Sequence, residues 1–243
     1  LAAGSVTGCW GDYDNDGWLD LFVTRCEVPG AEPPDKDNIT FAQHRLFRNT
    51  CGSGCGFVDV TAAAGFVVQY LPVAASASWG DLENDGDLDL VIVDLSDLGY
   101  GNSAVFVNQG NGTFSEERAS RLSNGIMGGY DIDYGTGVVW ADMNNDGDLD
   151  IVVSCASPGS GILFNDGTGV FPADATVRFP SGAAGYGGLQ VFDHNLDGWQ
   201  DVFMLSRTAN EPSRLFLANP TQDGVIYLEN THNAALAHTS SGM

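Results

Sequence analysis

Nine residues recur four times along this chain in the form Asp-x-(Asp/Glu/Asn)-x-Asp-Gly-x-x-Asp. The copies run 12–20, 81–89, 142–150 and 193–201, each starting 51 to 69 residues after the last. Oxygen-bearing side chains at alternate positions of a tight loop can converge on one hard cation. A recurrence on this scale makes the fold an array of similar units.

In the first copy Asp12, Asp14 and Asp16 occupy positions 1, 3 and 5. Gly17 at position 6 permits the sharp turn, because no Cβ clashes at positive φ. Trp18 at position 7 offers its backbone carbonyl, and Asp20 at position 9 closes the shell. The second copy supplies Asp81, Glu83, Asp85, Asp87 and Asp89, and the third Asp142, Asn144, Asp146, Asp148 and Asp150. The fourth supplies Asp193, Asn195, Asp197, Trp199 and Asp201. An all-oxygen set rich in carboxylates suits Ca²⁺, which takes 6–8 oxygens, whereas Mg²⁺ keeps more water. Zinc is disfavoured: no loop offers a Cys, and the one loop histidine, His194 at position 2, should point away. The second copy carries the most anionic ligands and the fourth the fewest, so the fourth is expected to bind most weakly.

An EF-hand shares positions 1 to 6 but needs a bidentate Glu at position 12 and flanking helices. Position 12 here is Val23, Ile92, Val153 and Met204. Short apolar runs of strand character follow every loop, as in Leu90-Val-Ile-Val93. Trp10-Gly11, Trp79-Gly80 and Trp140-Ala141 precede three of them, so each loop is expected to join two strands.

The formal charge is −23, and the four nonapeptides hold 16 of the 32 acidic residues. Nucleic acid and anionic membrane are poor partners for such a surface. Without cations the loops would repel themselves, so the fold is expected to depend on metal. Hydrophobic content of 43% argues for a packed core, and no apolar run reaches the length of a membrane span. Cys51 and Cys55 bracket a short turn and Cys9 and Cys26 flank the first loop; both pairs are candidate disulfides, and Cys155 reads as a buried thiol. Sequons at Asn38 and Asn111 join the calcium loops in favouring an extracellular glycoprotein.

A second signature follows each loop: Leu46-Phe-Arg-Asn49, Val105-Phe-Val-Asn108, Leu163-Phe-Asn165 and Leu215-Phe-Leu-Ala-Asn219. A polar turn comes next, then a strand-like piece at Phe57-Val-Asp-Val60, Thr113-Phe-Ser115, Val170-Phe171 and Val225-Ile-Tyr-Leu228. Each unit thus reads as four short strands, the content of a β-propeller blade. The stretch from Glu27 to Gln43, with three Pro, reads as an exposed loop.

The combination Trp-Gly-Asp-x-Asp-x-Asp-Gly-x-x-Asp-Leu, Leu-Phe-x-Asn and Gly-x-Gly-x-Phe resembles the FG-GAP/VCBS repeat. The same calcium-loop type occurs in the propeller of integrin α subunits. That resemblance implies an all-β propeller, usually seven-bladed, with calcium in the loop between two strands of each blade. The fourth unit departs from it, with Val191-Phe192 in place of Trp-Gly. Blades are expected near 1–66, 67–126, 127–180 and 181–230, with 231–243 leading into a further one. A piece of a larger propeller is expected, and a closed four-bladed ring is the alternative.

Three functions fit. The first is an extracellular, non-enzymatic calcium-binding module for adhesion to a protein or glycan. The second is carbohydrate recognition or polysaccharide processing, with Tyr70, Tyr100, Tyr130, Tyr134 and Tyr186 available for sugar stacking. The third is self-assembly into an extracellular filament through strand edges. No nucleophile elbow, phosphate loop or zinc-protease motif is present. His44, His194, His232 and His238 are dispersed and read as surface or loop residues. Asp131 and Asp133 form a close carboxylate pair that reads as a solvated loop rather than a glycosidase centre.

Overall fold

The computed structural model describes residues 5–25, 44–66, 74–94, 103–122, 135–155, 159–172, 175–179, 186–206, 212–221 and 224–229. These form four antiparallel sheets of four strands each. The first holds β1 (Ser5–Gly11), β2 (Asp20–Arg25), β3 (Arg45–Asn49) and β4 (Phe57–Asp59). The second holds β5 (Ala74–Gly80), β6 (Asp89–Asp94), β7 (Ala104–Asn108) and β8 (Phe114–Glu116). After one helical turn, α1 (Arg118–Arg121), come β9 (Gly135–Ala141), β10 (Asp150–Cys155), β11 (Gly161–Leu163) and β12 (Thr176–Arg178). The last sheet holds β13 (Tyr186–Phe192), β14 (Asp201–Ser206), β15 (Arg214–Thr221) and β16 (Gly224–Glu229). In every sheet the strands lie side by side in chain order.

The register is the same throughout. Gly11 pairs with Asp20, Gly80 with Asp89, Ala141 with Asp150 and Phe192 with Asp201. Each nonapeptide is therefore the hairpin loop between the first two strands, closed by its own last residue.

The strands β1, β5, β9 and β13 pack against one another in succession, so the sheets stack with apolar layers between them. Alternation decides which layer a side chain enters. Leu90 and Ile92 of β6 join Phe22, Leu46, Phe66 and Phe106 between the first and second sheets. Val91 and Val93 point the other way, toward Val138, Trp140 and Ile151 of the third. Val152, Ile162, Val202, Met204 and Phe216 fill the layer between the third and fourth. Both faces of the inner sheets are covered, which is why their second strands read as unbroken apolar runs rather than as alternating ones.

Three sequence expectations change. Val170-Phe171 does not form the fourth strand of the third sheet; β12 does. Phe171 is instead fully buried against the preceding repeat, where its N–H donates to the Arg121 carbonyl beside an isolated bridge to Leu122. His44, expected at the surface or in a loop, stands outside the strands just before β3 but is buried, with its ring 6.0 Å from that of Phe22. Cys51 and Cys55 are free thiols, as is Cys9. Their turn is closed by hydrogen bonds instead, from Thr50 N–H to the Gly56 carbonyl at 2.9 Å and from Thr50 Oγ1 to the Gly54 carbonyl at 2.8 Å. Cys155 is buried as anticipated, and burial pushes the Cys9 thiol up to about 12. Cys26, Asn38, the stretch 27–43, Tyr70, Tyr100, Tyr130, Asp131, Asp133, Tyr134, the Tyr186 side chain, His232, His238 and the tail 231–243 lie outside the described residues.

Candidate metal centre

All four loops share one internal hydrogen-bond pattern. The position 1 carboxylate accepts two backbone N–H groups from positions 5 and 6. Asp12 takes Asp16 at 3.0 Å and Gly17 at 2.9 Å, and Asp81 takes Asp85 and Gly86 at 3.0 Å each. Asp142 and Asp193 repeat this with Asp146, Gly147, Asp197 and Gly198 at 2.9–3.2 Å. The position 5 carboxylate accepts the N–H of position 7, as Asp16 does from Trp18 at 2.9 Å. This wrap needs left-handed backbone twice. Glycine supplies it at position 6, where φ is +88° to +97°. Position 4 adopts it too, at Asn15, Asn84, Asn145 and Leu196 with φ of +55° to +61°. Asparagine tolerates that region better than most residues, and three asparagines in one slot were a readable signal of it.

Position 9 is fully or nearly fully buried in every loop. Its two oxygens bind the sheet together. Asp89 accepts the N–H of Leu82 in its own loop and of Asn108 in the third strand, both at 2.8 Å. Asp20 does so with Tyr13 and Asn49, Asp150 with Met143 and Asn165, and Asp201 with His194 and Ala218, at 2.7–3.2 Å. His194 accordingly serves the loop through its main chain, and its side chain is exposed. The fourth repeat differs here: the register is unchanged, with Phe216 opposite Val202, but Ala218 rather than an asparagine occupies the slot of Asn49, Asn108 and Asn165.

Burial raises the carboxyl of Asp20 to about 6, opposed by the Asn49 N–H and reinforced by Asp14. It raises Asp89 and Asp150 to about 7 against their paired N–H donors, with neighbouring loop acids adding to the shift. A divalent cation would reverse that tendency by favouring the charged form.

Among the described residues one set of three carboxylates converges within 4.8 Å: Asp12, Asp14 and Asp20 of the first loop. One oxygen of Asp14 is buried with no hydrogen-bond partner, and burial, followed by the charge of Asp16, raises its carboxyl. An orphaned buried carboxylate oxygen costs free energy unless something cationic meets it. The oxygen-only donor set and that orphan fit Ca²⁺.

The other loops differ at position 3. Asn144 and Asn195 turn their amide N–H groups onto Asp146 and Asp197 at 2.7 and 2.8 Å. Glu83, in the loop richest in anions, is held by the guanidinium of Arg121. That guanidinium also binds Glu117 at 2.9 Å and the Thr168 carbonyl at 3.0 Å. Gly169 makes room for it, since a Cβ there would lie 2.7 Å from the Arg121 side chain. Nothing local to the second loop announced this partner, which comes from α1.

Arg121 fills the space between the second and third sheets. The matching space between the first and second is an open cleft of about 550 Å³. Asp14, Arg48, Asp87, Asn111 and Thr113 line it, with Ala63 and Ala64 on the apolar side. Asn111, the described sequon, is exposed there and accepts two hydrogen bonds from Thr113.

The sequence profile of the FG-GAP-like repeat matches residues 81–153, from position 1 of the second loop to β10. Residues 81–153 belong to the FG-GAP-like repeat family. The first and fourth loops lie outside the matched segment yet share the register and internal hydrogen bonds of the second and third. No curated protein matches the chain. Among solved structures it is similar to an Agrocybe aegerita lectin described as specifically recognising non-reducing terminal N-acetylglucosamine. Identity is 18%, the TM-score is 0.50, and 89% of this chain and 50% of the lectin are covered. It is also similar to the V. cholerae biofilm matrix protein Bap1, at 15% identity and a TM-score of 0.42 over 94% of this chain and 38% of that one. The chain thus spans half the length of the first and less of the second. At this identity the lectin speaks to the fold alone. No helix among the described residues is long and apolar enough to cross a membrane.

Proposed function

We propose that the four sheets are blades of a β-propeller larger than this chain, of the seven-bladed type, in which Ca²⁺ rigidifies the loop joining the first two strands of each blade. The observation that carries this is the first loop, where Asp12, Asp14 and Asp20 converge and one Asp14 oxygen lacks a partner. Bound calcium would neutralise loop carboxylates and fix the wrap; the buried position 9 acids would tie each loop to its third strand. The residues that would hold the ion are positions 1, 3, 5, 7 and 9, with the first loop ahead of the fourth.

The module works outside the cell, where calcium is plentiful, as a non-catalytic binding unit for a glycan or protein. The open cleft beside Asp14 and Asn111 is the proposed contact region, because clustered hydroxyl, amide and charged groups suit a hydroxyl-rich ligand. Since the lectin that shares the fold is described as recognising terminal N-acetylglucosamine, arrays presenting that sugar are the first to screen. The test is glycan-array binding in calcium and in chelator, with Arg48→Ala and Asn111→Gln for comparison. Calcium-dependent binding weakened by both variants supports the reading. Binding to no glycan leaves a protein ligand in its place, and binding indifferent to calcium and to both variants contradicts the site.

A further inference from the structure

Three kinds of contact dock one sheet on the next, the first at two interfaces and the other two, with one change of donor, at all three. First, a tryptophan of the later sheet sits over a glycine of the earlier one. Trp79 covers Gly11 and Trp140 covers Gly80, where a Cβ would meet the indole at 2.8 and 2.5 Å. Each indole N–H donates back across the interface, Trp79 to the Cys9 carbonyl at 3.3 Å and Trp140 to the Ser78 carbonyl at 3.0 Å. Second, a third-strand asparagine donates to two loops at once. Asn108 reaches Leu88 of its own loop and Tyr13 of the previous one, and Asn165 reaches Leu149 and Leu82. In the fourth sheet the Tyr227 hydroxyl replaces that amide, its single proton shared between the Met143 carbonyl at 3.0 Å and the Gln200 carbonyl at 3.2 Å. Third, position 4 asparagines link each loop to the next.

The first sheet presents the later-sheet half of this interface. Trp10, in the slot of Trp79 and Trp140, is 55% exposed. The Asn49 amide donates to its own loop, at the Leu19 carbonyl, and to no second loop among the described residues. The fourth sheet presents the earlier-sheet half in altered form. Where Gly11 and Gly80 stand, it has Phe192, 40% exposed, and where the linking asparagines stand it has Leu196. Plug and seat change size together along the chain: tryptophan meets glycine twice, and at the third interface the two slots hold Val191 and Ala141, which both pack on the same apolar layer. Trp10 on Phe192 would put two large rings where the other interfaces hold one.

We infer that the exposed face of the first sheet docks a further four-stranded sheet of this same repeat, one with glycine at the seat and an open main-chain carbonyl just before its own Trp slot. The chain's own fourth sheet does not fill that place, within one copy or between two. The inference rests on the blade reading above but not on its metal or ligand.

The test appends a copy of residues 67–130 ahead of the full chain, so that residues 1–4 replace 131–134 and the natural spacing is kept. Tryptophans are labelled with 5-fluorotryptophan, and the Trp10 fluorine signal is assigned with Trp10→Phe. The expected result is a shifted Trp10 signal and a several-fold loss of broadening by a soluble paramagnetic agent. The same appended copy carrying Gly80→Phe should leave Trp10 as accessible as in the chain alone. A Trp10 signal that the appended sheet leaves unchanged overturns the inference. So does equal protection by the Gly80→Phe copy, or protection in the chain alone that grows with concentration, which would mean end-to-end pairing through the fourth sheet. Loss of calcium binding with Trp10 docking intact would instead strike only the metal reading.

Discussion

Asn15 in the first loop donates its side-chain amide to the Asp87 carboxylate in the second, at 2.7 Å. Asn84 repeats the contact with Asp148 at 2.6 Å, and Asn145 reaches the Gly198 carbonyl at 3.1 Å, where position 7 is Trp199 and offers no carboxylate. The aspartates at position 7 therefore face the previous loop, and the four loops form one linked tier. The pairs are exposed, so each should be worth only about 0.5–1 kcal/mol. A double-mutant cycle of Asn84→Ala and Asp148→Ala, read by urea unfolding, should return a coupling energy of about that size. Additive effects would mean that the loops are independent.

Leu196 is the exception at position 4, at φ +60° and 88% exposed. It carries the steric cost of left-handed backbone without packing in return. Leu196→Asn should stabilise the chain by roughly 0.5–1 kcal/mol, and Asn145→Leu should do the reverse. Thermal unfolding would show a rise of about 2–3 °C for the first.

Arg121 occupies the second loop as an internal cation, between Glu83 and Glu117. Arg121→Met should lower stability in chelator by about 1–3 kcal/mol, because two half-buried carboxylates lose their counter-charge. With Glu83 released, calcium should bind the second loop more tightly and recover part of the loss. Terbium luminescence titration of the variant would reveal the gained site, and an unchanged titration would show that Glu83 plays no part in one.

Asp89 and Asp150, raised to about 7, and Asp20, raised to about 6, set a pH dependence for the metal-free chain. Unfolded aspartate titrates near 3.9, so between about pH 4 and pH 7 the folded chain holds more protons than the unfolded one. Stability in chelator should fall as pH rises through that window, giving a higher Tm near pH 5 than near pH 7.5. Calcium competes with those protons, so in its presence the slope should flatten or invert. Asp150→Asn keeps one acceptor but sets an N–H donor against a backbone N–H, and should cost about 1–3 kcal/mol at neutral pH.

The hairpin loops and the strands beside them were legible because both follow a local period: ligands at odd positions, then apolar runs ended by Phe and Asn. Glycine at position 6 was equally plain. The left-handed position 4 was written in Asn15, Asn84 and Asn145, but only their spatial neighbours give them a purpose. What the sequence hid is long-range. The Glu83–Arg121 pair joins residues 38 apart, and Phe171 leaves its expected strand to pack on the preceding repeat. His44 lies buried against Phe22 because of tertiary packing that no local pattern encodes.

Calorimetric calcium titration of the chain and of Asp14→Asn, paired with thermal unfolding in calcium and in chelator, tests the account most directly. The chain should bind calcium saturably and gain roughly 5–10 °C in Tm at high occupancy, and Asp14→Asn should lose the tightest site and much of that gain. A chain that takes up no calcium, with the same Tm in calcium and in chelator, would contradict it.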